Sequence, residues 1–136
     1  MESINWLALI AAAVSTFVVG SVWYNPNVFG KAWMHSVGMT EEKAKEGNLP
    51  LIFGIGLVMA FIAAFFISYI VNHGGEEFQT FKHGALHGSM LGVLVAMPIV
   101  VTNALYEQKS FKYMLINMGY WICCFTIMGG ILSAWH

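Results

Sequence analysis

Arginine is missing from this chain, and charge of either sign is scarce. Six lysines and seven acids in 136 residues make it 10% charged, where a soluble domain carries about 25%. So few cations form no basic patch, which excludes nucleic acid as a partner. No Asp, Glu, His or Lys sits at the middle of an apolar run, so an ion-coupled pump acting as a monomer lacks its relay. No glycine loop cradles phosphate and no Ser-His-Asp set is present, so no cofactor is implied and the balance leans against an enzyme. The two cysteines, Cys123 and Cys124, are neighbours. Adjacent helical residues point in different directions, so they read as small packing residues rather than as a disulfide.

What fills the chain is apolar: 58% hydrophobic residues and a mean hydropathy of +0.68. Four runs stand out, about Ile4–Tyr24, Leu49–Val71, His83–Tyr106 and Phe111–Trp135. Each is long enough, at roughly 1.5 Å rise per residue, to cross a hydrocarbon layer of about 30 Å. A soluble core of this size has no room for four such runs. The expectation is an all-α integral membrane protein: a single domain over 1–136, built as a bundle of four transmembrane helices. The first run is not a removable leader, because Met1-Glu2-Ser3 lacks a basic start and the run outlasts a signal's apolar segment. Trp6 and the Trp23–Tyr24 pair suit the two interface anchors of that helix, as Tyr113 and Trp135 suit those of the last.

Lysine placement predicts orientation. Lys31, Lys43 and Lys45 follow the first run, Lys109 and Lys112 follow the third, and Lys82 alone follows the second, near Glu76 and Glu77. The positive-inside rule then puts the first and third loops in the cytoplasm and both termini outside.

Apolar side chains gain nothing by leaving lipid for a neighbouring helix, so small residues at four-residue spacing mark close packing. Such stripes are Ala8-Ala12-Thr16-Gly20, Gly56-Ala60-Ala64-Ser68 and Gly84-Gly88-Gly92-Ala96; the last run has only Gly130 and Ala134. The expectation is a tight core of runs one to three with run four leaning on it. Phe61, Phe65 and Phe66 are then expected to face lipid or a neighbouring subunit. Pro98 cannot donate to the Leu94 carbonyl and should bend run three.

The first loop is long. Asn25-Pro26 stops the first helix. Phe29, Trp33 and Val37 then recur at helical spacing, which predicts a short amphipathic interfacial helix in a segment of about 28–47. Thr40 caps a further short helix with Glu41 and Glu42 in its first turn, Gly47 ends it, and Asn48 with Pro50 opens run two.

Polar residues within or beside lipid are the default place to seek a site. Asn103 and Glu107 near the end of run three, Asn117 and Tyr120 near the start of run four, and Tyr24, Asn25, Lys31 and Trp33 around the first loop all fall at the predicted cytoplasmic side. They form either an interhelical hydrogen-bond clasp or a shallow pocket for a lipid headgroup or small polar ligand. Glu107 has Lys31 or Lys112 as candidate partners. At the other end, His83 and His87 share a helical face at i,i+4, and His73 ends run two on the same side. Neutral imidazoles at that spacing suit zinc, copper or iron, with Glu76 and Glu77 available to complete a set. His87, the deeper one, is expected to donate across the bundle; packing or a pH-responsive role competes with metal.

Three blocks carry a family resemblance. The first is Trp23-Tyr24-Asn25-Pro26 with Phe29-Gly30-Lys31-Ala32-Trp33-Met34 and Gly38-Met39-Thr40-Glu41-Glu42. The second runs from Thr102-Asn103-Ala104-Leu105-Tyr106-Glu107 to Lys109-Ser110-Phe111-Lys112. The third is Ile116-Asn117-Met118-Gly119-Tyr120-Trp121, closing at Met128-Gly129-Gly130-Ile131. Together they resemble the bacterial domain-of-unknown-function family 1761, and Phe81 to Gly88 resembles its version in Bacteroidetes-type bacteria. The resemblance spans nearly the whole chain. It implies a four-helix bacterial inner-membrane protein and carries no activity with it.

Three functions stay open, in this order. The first is a non-enzymatic membrane component, an accessory or scaffolding subunit or a small homo-oligomer, with membrane lipids and either itself or another membrane protein as partners. The second is a small-solute or lipid-binding channel or carrier around Pro98, Asn103 and Asn117. The third is a metal or redox protein using His73, His83 and His87.

Overall fold

Side-chain caps set the helix starts. The Asn5 side-chain oxygen accepts the Ala8 amide at 3.0 Å, and α1 runs Trp6–Trp23. Thr40 caps α3 (Glu41–Glu46), Asn48 caps α4 (Leu49–Val71), Thr80 caps α5 (Phe81–Leu91) and Ser110 caps α7 (Phe111–Ala134). Each cap satisfies an amide that the helix itself leaves unpaired. The short α2 (Gly30–Val37) ends at Gly38, whose φ of 66° suits glycine. The computed structural model describes residues 4–136, so the reading of the chain's first three residues falls outside them. Among the described residues the fold is all-helical, and four helices are long and apolar enough to cross a membrane: Trp6–Trp23, Leu49–Val71, Phe81–Tyr106 and Phe111–Ala134.

The third of these is two α-helices joined by a π turn. Gly92–Ala96 separates α5 from α6 (Met97–Tyr106), and the Met97 amide bonds back to the Gly92 carbonyl, five residues away. Pro98 has no amide to offer and its ring crowds the preceding turn, so the chain widens by one residue there. The helix begins at Phe81, before His83, because Thr80 supplies the cap.

Packing departs from the sequence expectation. Span four, α7, does not lean on a core made by the others; it lies at their centre and touches all three other spans. On one side Cys124, Met128 and Leu132 close against Ala8, Leu9 and Ala12 of α1 and Ala64, Ile67 and Val71 of α4. On the other side the glycine stripe of α5 meets α7 backbone. A Cβ on Gly84 would strike the Gly129 carbonyl, and one on Gly88 the Phe125 carbonyl. The third span's stripe therefore found a partner in Gly129 and Ser133, not in the Gly130 and Ala134 pair. Gly130 instead accommodates the Phe81 ring. Four-residue spacing says that a face is thin; it does not say which helix fills it.

The first half of α4 stands apart. Leu49 to Met59 is exposed along its whole length, with Phe17 reaching across to Phe53 edge-on at 6.0 Å. Phe65 and Phe66 are exposed, whereas Phe61 packs against the core and stacks on Trp6 at 6.4 Å.

Candidate functional site

The two ends of the bundle carry different chemistry. At the lysine-rich end the chain leaves α1 through Tyr24, Asn25 and Pro26, and the Asn25 carbonyl accepts the amides of Val28 and Gly30. Only glycine fits at position 30, since a Cβ would strike the Tyr24 carbonyl. This turn sends Tyr24 inward. Its hydroxyl donates to Asn117 Oδ1 at 2.7 Å, and its ring meets Tyr120 at 5.1 Å and Trp33 at 5.7 Å. Tyr120 in turn donates to the Thr16 carbonyl at 2.9 Å. Trp23 adds a bond that the sequence reading missed: its indole N–H donates to the Ile116 carbonyl at 2.9 Å. Gly119 makes room for that indole, as a Cβ there would lie 2.8 Å from the ring.

Only half of the residues expected at this end converge. Tyr24, Trp33, Asn117 and Tyr120 meet. Asn103 and Glu107 lie at the right end of α6 but on its outward face, because Ala104 is the residue buried there. Lys31 is exposed on α2, and Asn25 is a turn residue whose side chain accepts the Asn27 amide at 2.9 Å. Among the described residues no ion pair forms between Glu107 and Lys31 or Lys112, all three being exposed.

At the opposite end three histidines come together from two spans. His73 follows α4, and His83 and His87 lie one turn apart on α5. Their ring centroids are 4.2 Å apart for His83 and His87, 5.0 Å for His73 and His87, and 5.4 Å for His73 and His83. One ring nitrogen from each lies within 4.8 Å of the others. His73 Nδ1 is 2.5 Å from the Ile70 carbonyl, and His87 Nδ1 is 3.0 Å from the His83 carbonyl. A carbonyl oxygen only accepts, so each Nδ1 carries the hydrogen and each Nε2 keeps its lone pair. His87 thus bonds within its own helix, to the carbonyl one turn earlier, and not across the bundle. His83 Nε2 is buried and has no hydrogen-bond partner.

Backbone-anchored Nδ1–H groups with free Nε2 atoms are how metal-binding histidines are oriented. A tetrahedral ion about 2.1 Å from each nitrogen needs them roughly 3.4 Å apart, closer than the 4.8 Å within which they lie. Glu76 and Glu77 are exposed in a 3-10 turn and stay outside it. Phe78 covers the cluster, its ring 5.3 Å from that of His83.

The comparisons with known proteins now bear on this geometry. A family model described as "Protein of unknown function (DUF1761)" matches residues 7–133, nearly the whole chain and both ends of the bundle. The chain belongs to the DUF1761 family. No curated protein and no solved structure matches it. The match of this DUF1761 chain to its family spans all four membrane-crossing helices.

Proposed function

We propose that this DUF1761 chain is a metal-binding component of the bacterial inner membrane, holding one divalent first-row transition ion between His73, His83 and His87. The observation that carries it is the convergence of three ring nitrogens within 4.8 Å, two of them with their Nδ1 atoms already tied to carbonyls. Neutral imidazole favours zinc, copper, nickel or iron over calcium or magnesium. Three protein ligands leave a fourth position for water or a solute. No carboxylate belongs to the set among the described residues, so ligation has support here and a positioned general base does not. That favours a non-enzymatic holding role. The lysine bias supports an orientation with the histidines on the outer side of the membrane and the Tyr24–Asn117 end in the cytoplasm.

The test is metal stoichiometry on purified, chelator-stripped protein in detergent. Titration with Zn2+ or Co2+ should saturate at one ion per chain, and Co2+ should develop the visible bands of a four-coordinate site. His73→Ala, His83→Ala and His87→Ala should each weaken binding at least about tenfold. No stoichiometric ion, or binding indifferent to all three substitutions, overturns the reading.

A further inference from the structure

A cleft of about 770 Å3 opens at the histidine end of the bundle, between the start of α1 and the ends of α4 and α7. Two histidines line it, His73 and His136. His73 is the exposed member of the three-histidine set; His83 and His87 are partly buried and do not line the cleft. Phe78 stands over His83 on the loop side. An ion that comes through the cleft from water therefore meets His73 before the other two. His136 stands outside the set but shares its preparation. Its Nδ1 lies 3.2 Å from the Ser133 carbonyl, as His73 Nδ1 lies against the Ile70 carbonyl. The oxygen accepts, so Nδ1 holds the hydrogen and Nε2 keeps a lone pair. One imidazole alone holds a divalent ion weakly and lets it go. Three convergent ones keep it, because each further ligand binds from within the same assembly.

We propose that this cleft is the loading route of the metal site, with His136 as a capture ligand that takes the incoming divalent ion from water and passes it to His73. The inference rests on the metal reading above and adds to it a path and a residue. In the first step the His136 Nε2 lone pair replaces one water of the hydrated ion. In the second His73 Nε2 replaces another, and the bond to His136 breaks as His83 and His87 close on the ion. All four imidazoles stay neutral, so no proton or electron changes hands. Capture raises the local concentration of the ion beside the set. Because His136 is not in the final set, it speeds entry and exit alike and leaves the equilibrium affinity where it was.

The experiment uses the full chain in nanodiscs, stripped of metal, mixed rapidly with Co2+ and followed by the visible bands of the loaded site. Release is read on mixing the loaded protein with excess EDTA. His136→Ala should load at least about fivefold more slowly and release more slowly by the same factor, at one ion per chain and unchanged affinity. His136 is exposed, so its truncation leaves the core intact. His136→Asp, which restores a capture ligand, should load at least as fast as the wild type. Ser68→Phe, which narrows the cleft and keeps all four histidines, should slow loading as His136→Ala does. Loading at the wild-type rate in either His136→Ala or Ser68→Phe overturns the proposal and leaves the metal reading standing. A loss of affinity in His136→Ala as large as that in His83→Ala makes His136 a fourth ligand and overturns its capture role. Absence of any bound ion in the wild type, read first by equilibrium titration, overturns both.

Discussion

Asn103 and Asn117 look interchangeable in the sequence, each about a turn inside a span at the same end, yet the structure gives them opposite environments. Asn117 Oδ1 accepts the Tyr24 hydroxyl at 2.7 Å, the usual length for such a bond, whereas Asn103 is exposed. Side-chain hydrogen bonds measured within membrane bundles average about 0.6 kcal/mol and reach about 1.7. A part-buried bond of ordinary length belongs between these values, so Tyr24→Phe and Asn117→Ala should show a coupling energy of about 1 kcal/mol in a double-mutant cycle. Asn117→Ala alone should cost about 1–2 kcal/mol, because the Tyr24 hydroxyl is then left half-buried without an acceptor. Asn103→Ala should stay within about 0.5 kcal/mol. The assay is reversible unfolding in mixed micelles on rising dodecyl sulfate, followed by tryptophan fluorescence. Equal costs for the two asparagines, or a coupling energy of zero, would refute the helix rotation on which this reasoning depends.

Other outcomes follow from the same packing. Gly129→Ala drives a methyl at the Gly84 carbonyl and should destabilise by about 1–3 kcal/mol. Gly54→Ala, with nothing within 4 Å, should be neutral or stabilising by up to about 1 kcal/mol; both are read in the unfolding assay above. Zinc at about a hundred times its dissociation constant should stabilise the wild type by about 2.7 kcal/mol and His83→Ala by no more than about 1.4 kcal/mol, as measured by thermal unfolding. We expect a second copy against the exposed half of α4. Phe53→Cys in a chain lacking its native cysteines should then form covalent dimers on oxidation in membranes, and monomers from every position between Leu49 and Met59 would count against that contact.

Much of the architecture was legible in the sequence because it depends on local chemistry. Hydropathy marks the four runs, and Thr40, Asn48 and the Asn25-Pro26 pair act on amides within a few residues of themselves. The His83 and His87 pairing is likewise local, fixed by one helical turn. What was not legible is rotation. Asn103 points outward because Ala104, one step of about 100° away, is the residue that fits against α7. The centrality of α7 was hidden for a related reason. Its close contacts use Gly129 and Ser133, interleaved with Cys124, Met128 and Leu132 that seal the opposite side, so no long stripe of small residues announces it.

Whether a polar end of a bundle is structure or site can be judged from its unsatisfied atoms. At the Tyr24 end the Tyr24 and Tyr120 hydroxyls and the Trp23 indole all donate, and Asn117 Oδ1 accepts. Such a network fixes helix positions. Among the described residues, the buried side-chain atoms without a partner are Asn72 Oδ1 and His83 Nε2, and both lie at the histidine end. One belongs to the residue that caps the end of α4, the other is a potential metal ligand within a set of three. An orphan of either kind costs about 1–3 kcal/mol, a large fraction of a fold's net stability. Of the two, His83 Nε2 is the one that sits within a set of ligand atoms, and the cation proposed there would fill it.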